Sequence, residues 1–337
     1  MRNPDFNNLL KVLRHEKPNR PTLFEFFLNE ELYRKLAGEV IYAKQDKLAR
    51  FRILITAYKN AGYDYTTVQS SGFHFPKGEH HRAKSISQNE GALITDRESF
   101  EKYPWPNPED FDYSCLEDIK AELPEGMKLI VWGPGGVLEN VTDLVGFDNL
   151  CYMLYEDPEL VQEIFDAVGS RLLRYYELSA PYDTVGALIS NDDWGFNSQT
   201  MLSPSDMRKY VFPWHKKIVE AIHKAGKPAI LHSCGNLAEV MDDIIEDIKY
   251  DGKHSYEDKI LPVEEAYEKW GSRIAILGGI DVNFVCSESE EAITKRCVEM
   301  LKRTAERGSY ALGTGNSVPY YVPEEKYFTM INSIYKL

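Results

Sequence analysis

The stretch Ala229-Ile230-Leu231-His232-Ser233-Cys234-Gly235-Asn236 is an apolar run that ends in a histidine and a cysteine two positions apart, then a glycine and a polar helix-start residue. Alternate residues of a strand share a side, so an extended chain here lets His232 and Cys234 converge while Ser233 faces away. Imidazole and thiolate together make a soft pair that suits zinc. Asn236-Leu-Ala-Glu239 has capping-box spacing, which predicts a helix directly after the strand. A strand that delivers reactive groups just before a helix is a unit of a parallel α/β fold.

Outward from this unit the pattern repeats. Upstream, Thr22–Phe27, Asp64–Gln69, Lys128–Gly133 and Thr184–Ser190 read as strands, and downstream so do Tyr250–Asp258, Ile274–Asp281 and Ser309–Gly313. Helices fill the intervals. One over 47–60 stops at Gly62, one runs from Asp157-Pro158 towards Leu178, one starts at Ser203-Pro204-Ser205-Asp206, and one over 288–307 stops at Gly308. Eight strands alternating with helices predict a single, distorted (β/α)8 TIM barrel over residues 1–337, in preference to a doubly wound sheet. The interval 70–123, after the second strand, is too long for a barrel connection. With His74, His80, His81 and the proline-rich Tyr103-Pro-Trp-Pro-Asn-Pro108, it reads as an elaborated excursion or lid, its histidines in surface loops.

Composition narrows the function. A content of 43% hydrophobic and 27% charged residues is that of a soluble globular protein. The opening Met1-Arg-Asn-Pro-Asp5 has no apolar run behind it, so no signal peptide or membrane span is expected and the location is expected to be cytoplasmic. Lys plus Arg number 39 against 53 Asp plus Glu, a net charge of -14 that argues against nucleic-acid and anionic-membrane partners. Cys115, Cys151, Cys234, Cys286 and Cys297 are odd in number and widely spaced, which argues against a disulfide framework.

Barrel sites lie at the C-terminal ends of the strands, and the polar residues expected there are Glu25, Asp193, His232, Cys234, His254, Glu257, Asp281 and Asn316. His232 and Cys234 are the core of a zinc site, completed by His254, Glu257 or Asp193, with one position open for chemistry. Asp193 and Asp281 are candidate catalytic carboxylates; as helix caps they have a plainer use. Glu25, Trp132, Trp194, Asn316 and Tyr320 are candidates to line a small-molecule pocket, the aromatic ones with core or rim packing as the alternative. Gly278-Gly279 and Gly313-Thr-Gly-Asn316 offer backbone amides to a phosphate, or simply make tight turns. Neither is a P-loop or a dinucleotide fingerprint.

Leu10-Lys-Val-Leu-Arg-His-Glu-Lys-Pro-Asn-Arg-Pro21, Gly133-Pro-Gly-Gly136, Leu202-Ser-Pro-Ser205 with Arg208 and Pro213, His232-Ser-Cys-Gly-Asn236, Gly278-Gly-Ile-Asp281 and Gly313-Thr-Gly-Asn316 occur in that order. Together they resemble the uroporphyrinogen decarboxylase superfamily, which includes corrinoid-dependent methyltransferases. The resemblance implies a distorted TIM barrel with its pocket at the strand ends. In the methyltransferase branch a His-x-Cys pair and a later cysteine hold zinc. The zinc activates a thiol that takes a methyl group from methylcobalamin carried by a corrinoid protein. His232 and Cys234 match the pair, and Asn316 stands where the later cysteine would fall. True uroporphyrinogen decarboxylases carry an arginine-rich signature near the first strand that grips tetrapyrrole carboxylates. Here Thr22-Leu-Phe-Glu-Phe-Phe-Leu-Asn-Glu-Glu31 is acidic, and Glu25, Glu30 and Glu31 are expected to repel a polycarboxylate. The leading expectation is therefore zinc-assisted methyl transfer between a small substrate or thiol and a corrinoid protein. Decarboxylation of a carboxylated tetrapyrrole, with Asp193 or Asp281 stabilising a cationic intermediate, is the alternative. A non-catalytic binding protein is the third reading.

Overall fold

The computed structural model describes residues 2–78 and 91–337, so His80 and His81 lie outside the described residues. Seven strands form one parallel sheet in sequence order: β1 Tyr65–Val68, β2 Lys128–Trp132, β3 Val185–Asn191, β4 Ala229–His232, β5 Gly252–His254, β6 Ala275–Leu277 and β7 Tyr310–Ala311. Helices precede most strands and cover the outside. That is why runs such as Leu129-Ile130-Val131 are apolar at consecutive positions: both faces of the sheet are buried. The register places Asn191 beside His232 and His232 beside His254, so the ends of β3, β4 and β5 form one row of polar side chains. The sheet curls as a half-barrel, consistent with a TIM-like fold.

The first of the eight expected strands, Thr22–Phe27, is not one. It makes a single parallel bridge to β7's continuation, with Phe24 N donating to Leu312 O and Leu312 N to Thr22 O, each at 2.8 Å. On its other side no backbone ladder to β1 forms, because side-chain hydroxyls take the carbonyls. Tyr65 donates to Glu25 O at 2.8 Å, Tyr58 to Phe26 O at 2.9 Å and Thr67 to Phe26 O at 2.5 Å. Among the described residues the structure therefore has a seven-stranded ladder rather than a closed eight-stranded one. The later strands are also shorter than the apolar runs that announced them. After β6 and β7 the two loops knit to each other, with Gly279 N donating to Thr314 O, Ile280 N to Gly313 O and Gly315 N to Ile280 O. These amides are thereby used up, which explains both glycine pairs without a phosphate.

Capping chemistry sets the helix starts. Asp157 accepts from Leu160 N at 3.0 Å ahead of Pro158–Ser179, and Ser203 accepts from Asp206 N at 3.1 Å. The helix expected behind Asn236 differs: a 3-10 turn Ala238–Val240 leads into a π turn Asp243–Ile248. Of the 70–123 interval, the described residues pack along the helix Pro158–Ser179. Phe73 stacks on Tyr175, the Arg171 guanidinium lies 4.9 Å over the Trp105 ring, and Arg174 pairs with Glu109. Among the described residues no helix is long and apolar enough to cross a membrane.

Candidate metal and active site

β4 ends at His232, so the alternation of a strand does not by itself place Cys234. A turn does. Gly235 has φ +86°, and a Cβ there would lie 2.0 Å from Gly195 O, so only glycine lets the 191–195 and 233–236 loops abut. Asp193 Oδ1 then accepts the backbone N–H of Cys234 at 2.8 Å. The outcome is that Asp193, His232 and Cys234 bring a carboxylate oxygen, Nε2 and Sγ within 4.8 Å of one another. His232 Nε2 lies 3.9 Å from Sγ and 4.0 Å from Asp193 Oδ1. Ligands at zinc bond lengths in a tetrahedron are separated by about 3.6 Å for S and N and about 3.4 Å for N and O. The observed spacing is within roughly half an ångström of both, so the donor set suits zinc with a fourth position open.

The protonation of the pair follows from what lies behind it. A carbonyl only accepts, so the contact of His254 Nε2 with Thr314 O at 3.3 Å puts the proton of His254 on Nε2. Burial pushes the His254 pKa down to about 3, so the ring is neutral and its Nδ1 carries a lone pair. That atom accepts from His232 Nδ1 at 2.8 Å. Burial, with His254 and Lys253 as smaller contributors, likewise holds His232 well below the ordinary histidine range. Its remaining nitrogen, Nε2, is thus a bare lone pair facing Sγ and the Asp193 carboxylate. A neutral imidazole locked in one tautomer by a partner behind it is what a metal ligand requires.

The acidic members respond to the same burial. The Cys234 thiol is pushed up to about 12, by desolvation first and then by the Asp193 carboxylate, and Asp193 itself is raised by desolvation. A cation among them would reverse both tendencies. Asn316 Nδ2 donates to Sγ at 3.3 Å and Ser255, held at φ +105°, lies 3.5 Å from it through Oγ. Two cavities flank the group. One of about 530 Å³ is lined by Trp132, Glu139, Asn191 and Asp193, and one of about 570 Å³ by Glu257, Asp281, Asn316 and Tyr321.

The structure distributes the remaining expected residues differently. His254 spends both ring nitrogens on His232 and Thr314, so it orients His232 and has no ring nitrogen left over. Glu257 lines the larger cavity without joining the convergent group. Asp281 caps the helix Val282–Ser287 through Phe284 N at 3.0 Å and accepts Asp258 N at 2.9 Å, which leaves it a structural use. Glu25 does not face a pocket. It is fully buried against Thr314, and desolvation raises it to about 8, so it is neutral at pH 7 and repels nothing. Of the acidic trio, Glu30 pairs with Arg50 at 2.7 Å, which further weakens the expected repulsion. Trp194 is buried between Phe212 and His215 and is core packing. Tyr320 is 81% exposed, because it follows the turn beyond Pro319, and it lines none of the cavities beside the site. Trp132 lines the cavity beside Asp193, as expected.

Sequence reasoning missed Glu139, whose only signal was its place three residues into the helix after Gly136. There Oε2 accepts Gly136 N at 2.9 Å, and burial followed by Asp192 and Asp193 raises it to about 8. It also missed Asp192 and His215. Asp192 bonds Leu138 N and Glu139 N, each at 2.9 Å, and His215 Nε2 at 2.8 Å, fixing the segment that carries Asp193.

A family model described as uroporphyrinogen decarboxylase (URO-D) matches residues 6–337. Uroporphyrinogen decarboxylases from Anaeromyxobacter sp. (strain Fw109-5) and Geobacter sulfurreducens are each 24% identical to the chain, over 64% and 70% of its length. The chain spans 61% and 69% of those two relatives. Among solved structures, a methyltransferase from Methanosarcina mazei superposes with a TM-score of 0.70 at 14% identity, covering 98% of this chain and 97% of that one.

Proposed function

The chain belongs to the uroporphyrinogen decarboxylase (URO-D) family, whose members are enzymes, and from that premise we propose that it is a methyltransferase. The reaction is methyl transfer between a small substrate or thiol and a corrinoid held by a partner protein. The observation that carries this reading is the convergence of the bare His232 Nε2 with Cys234 Sγ and the Asp193 carboxylate within 4.8 Å. These three residues would hold a zinc ion, and zinc so held supplies a Lewis acid that lowers the pKa of a thiol or polarises an ether or amine. The residues around them have separate tasks. His254 keeps the His232 tautomer, Asn316 donates to the cysteine sulfur, and Asp193 also fixes the Cys234 backbone. The cavity of about 530 Å³ reaches Asp193 and the one of about 570 Å³ reaches Asn316, so a methyl donor and an acceptor would have separate approaches. In-line displacement needs such a two-sided arrangement.

A second reading, decarboxylation of a carboxylated tetrapyrrole, is favoured by the names of the curated relatives at 24% identity. Asp193 would then stabilise a cationic intermediate. Against it, the cavity beside Asp193 offers Lys77 as its one cation among the described residues, and Lys77 is paired with Asp143. The test is metal content of the purified protein and of Cys234→Ala, run beside an assay with uroporphyrinogen. Zinc in the wild type and its loss in the variant support methyl transfer. Equal zinc in both, or none in either, removes the metal role, and uroporphyrinogen turnover that survives Cys234→Ala but not Asp193→Asn installs the second reading.

A further inference from the structure

Lys253 is a buried cation that touches none of Asp193, His232 and Cys234 and is given no substrate in the proposed reaction, although its charge helps to keep His232 neutral. It follows Gly252 on β5 and points away from His254, on the opposite side of the strand. It is 3% exposed, and burial pulls its pKa down to about 8. Nζ donates to Ser255 O at 2.6 Å and Ser233 O at 3.3 Å and sits 4.3 Å over the Tyr256 ring. Among the described residues no carboxylate lies within ion-pair distance of it, and an ammonium has a third donor to place.

Beside it is a cavity of about 120 Å³ walled by Lys253, Tyr256, Leu237, Met241, Leu261 and Trp270. That exceeds the ~30 Å³ share of a single water several-fold. Among the described residues the buried Tyr256 hydroxyl has no hydrogen-bond partner. At the rim, Lys269 lies 4.8 Å over the Trp270 ring and Glu257 supplies one acidic group, so the rim is balanced and the buried Lys253 leaves the cavity with one cation in excess. None of Asp193, His232 and Cys234 lines this space. Apolar walls, an ammonium with a spare donor and an unsatisfied hydroxyl are complementary to a molecule with a hydrocarbon body and one anionic end.

We propose that this cavity is a second small-molecule site, distinct from the metal-ligating group, that takes a short carboxylic acid anion with an apolar or aromatic body, its carboxylate on Lys253 and Tyr256. The test is calorimetric titration of the full chain with benzoate and with benzamide, its neutral isostere. Benzoate is expected to bind saturably at one site, at least tenfold more tightly than benzamide. Leu261→Trp, which fills the cavity and leaves the lysine in place, abolishes binding, and Lys253→Met lowers benzoate to the level of benzamide. Cys234→Ala binds as the wild type does, which separates this site from the metal-ligating group whether or not that group holds zinc. Absence of saturable binding, equal affinity for benzamide, undiminished binding to Leu261→Trp, or loss of binding in Cys234→Ala each overturns the proposal. Should Lys253→Met fail to fold, the amide comparison and Leu261→Trp decide it.

Discussion

Replacing Glu25 by Gln tests the electrostatics of the buried interior with a calculable magnitude. Glu25 is fully buried and desolvation raises its pKa from 4.5 to about 8, outweighing the hydrogen bonds it receives from Thr314. Because the folded-state value is raised, the folded chain holds a proton that the unfolded chain has released between about pH 4.5 and 8. The contribution is fully present below about pH 4.5 and is lost as pH rises through that window, at about 1.4 kcal/mol per pH unit. Over the whole window, from 4.5 to about 8, this amounts to roughly 5 kcal/mol. Glu139, also raised to about 8, adds a slope of the same sign. Glu25→Gln removes one of the two. Urea unfolding at several values between about pH 5 and 7.5 should show the wild type losing about 1.4 kcal/mol per unit relative to the variant. A difference between the two that does not change with pH would mean that Glu25 is ionised in the folded chain, and the argument from burial would fail.

Three further outcomes follow from the site. Asn316→Cys places a thiol where an amide now lies 3.3 Å from Cys234 Sγ, and it should tighten zinc binding measured by competition with a chelator. His254→Ala leaves His232 Nδ1 without its acceptor, and the same competition should show about 10- to 100-fold weaker zinc. Gly235→Ala forces a side chain into φ +86° against Gly195 O, which should cost at least about 2 kcal/mol in urea unfolding and separate Asp193 from Cys234.

Apolar or β-prone runs closed by caps and glycines announced most of the seven strands, β5 at Gly252–His254 most weakly, because those signals are local. Thr22-Leu-Phe-Glu-Phe-Phe27 has the same local signal. Whether it joins a ladder depends on three hydroxyls, Tyr58, Tyr65 and Thr67, that are distant in sequence. His232 and Cys234 were legible because they are close in sequence, although the turn at Gly235, and not strand alternation, brings Cys234 to the site. The choice of Asp193 over Glu257 and His254 as their companion was not, since it rests on the abutment of Gly195 and Gly235 from different strand ends. Asp281 and Glu25 were chosen for being charged at strand ends, and the folded chain spends one on a cap and protonates the other. Lys253 gave no signal at all, because a single lysine in a short strand looks the same whether it is solvated or enclosed.

The seam between residues 22–27 and β1 has a consequence for how this scaffold diversifies. A backbone ladder locks two segments in steps of a whole residue pair, and a slip inverts every side chain. A seam fastened by the tips of Tyr58, Tyr65 and Thr67 tolerates fractional adjustment, since each hydroxyl rotates to follow its acceptor. Phe27 and Leu28, just beyond that seam, line a neighbouring cavity of about 350 Å³ together with Trp132. The width of that cavity is therefore set by side chains at one edge of the sheet. Exchanging a few of them can resize the pocket while the other strands, and the site residues they carry, keep their places.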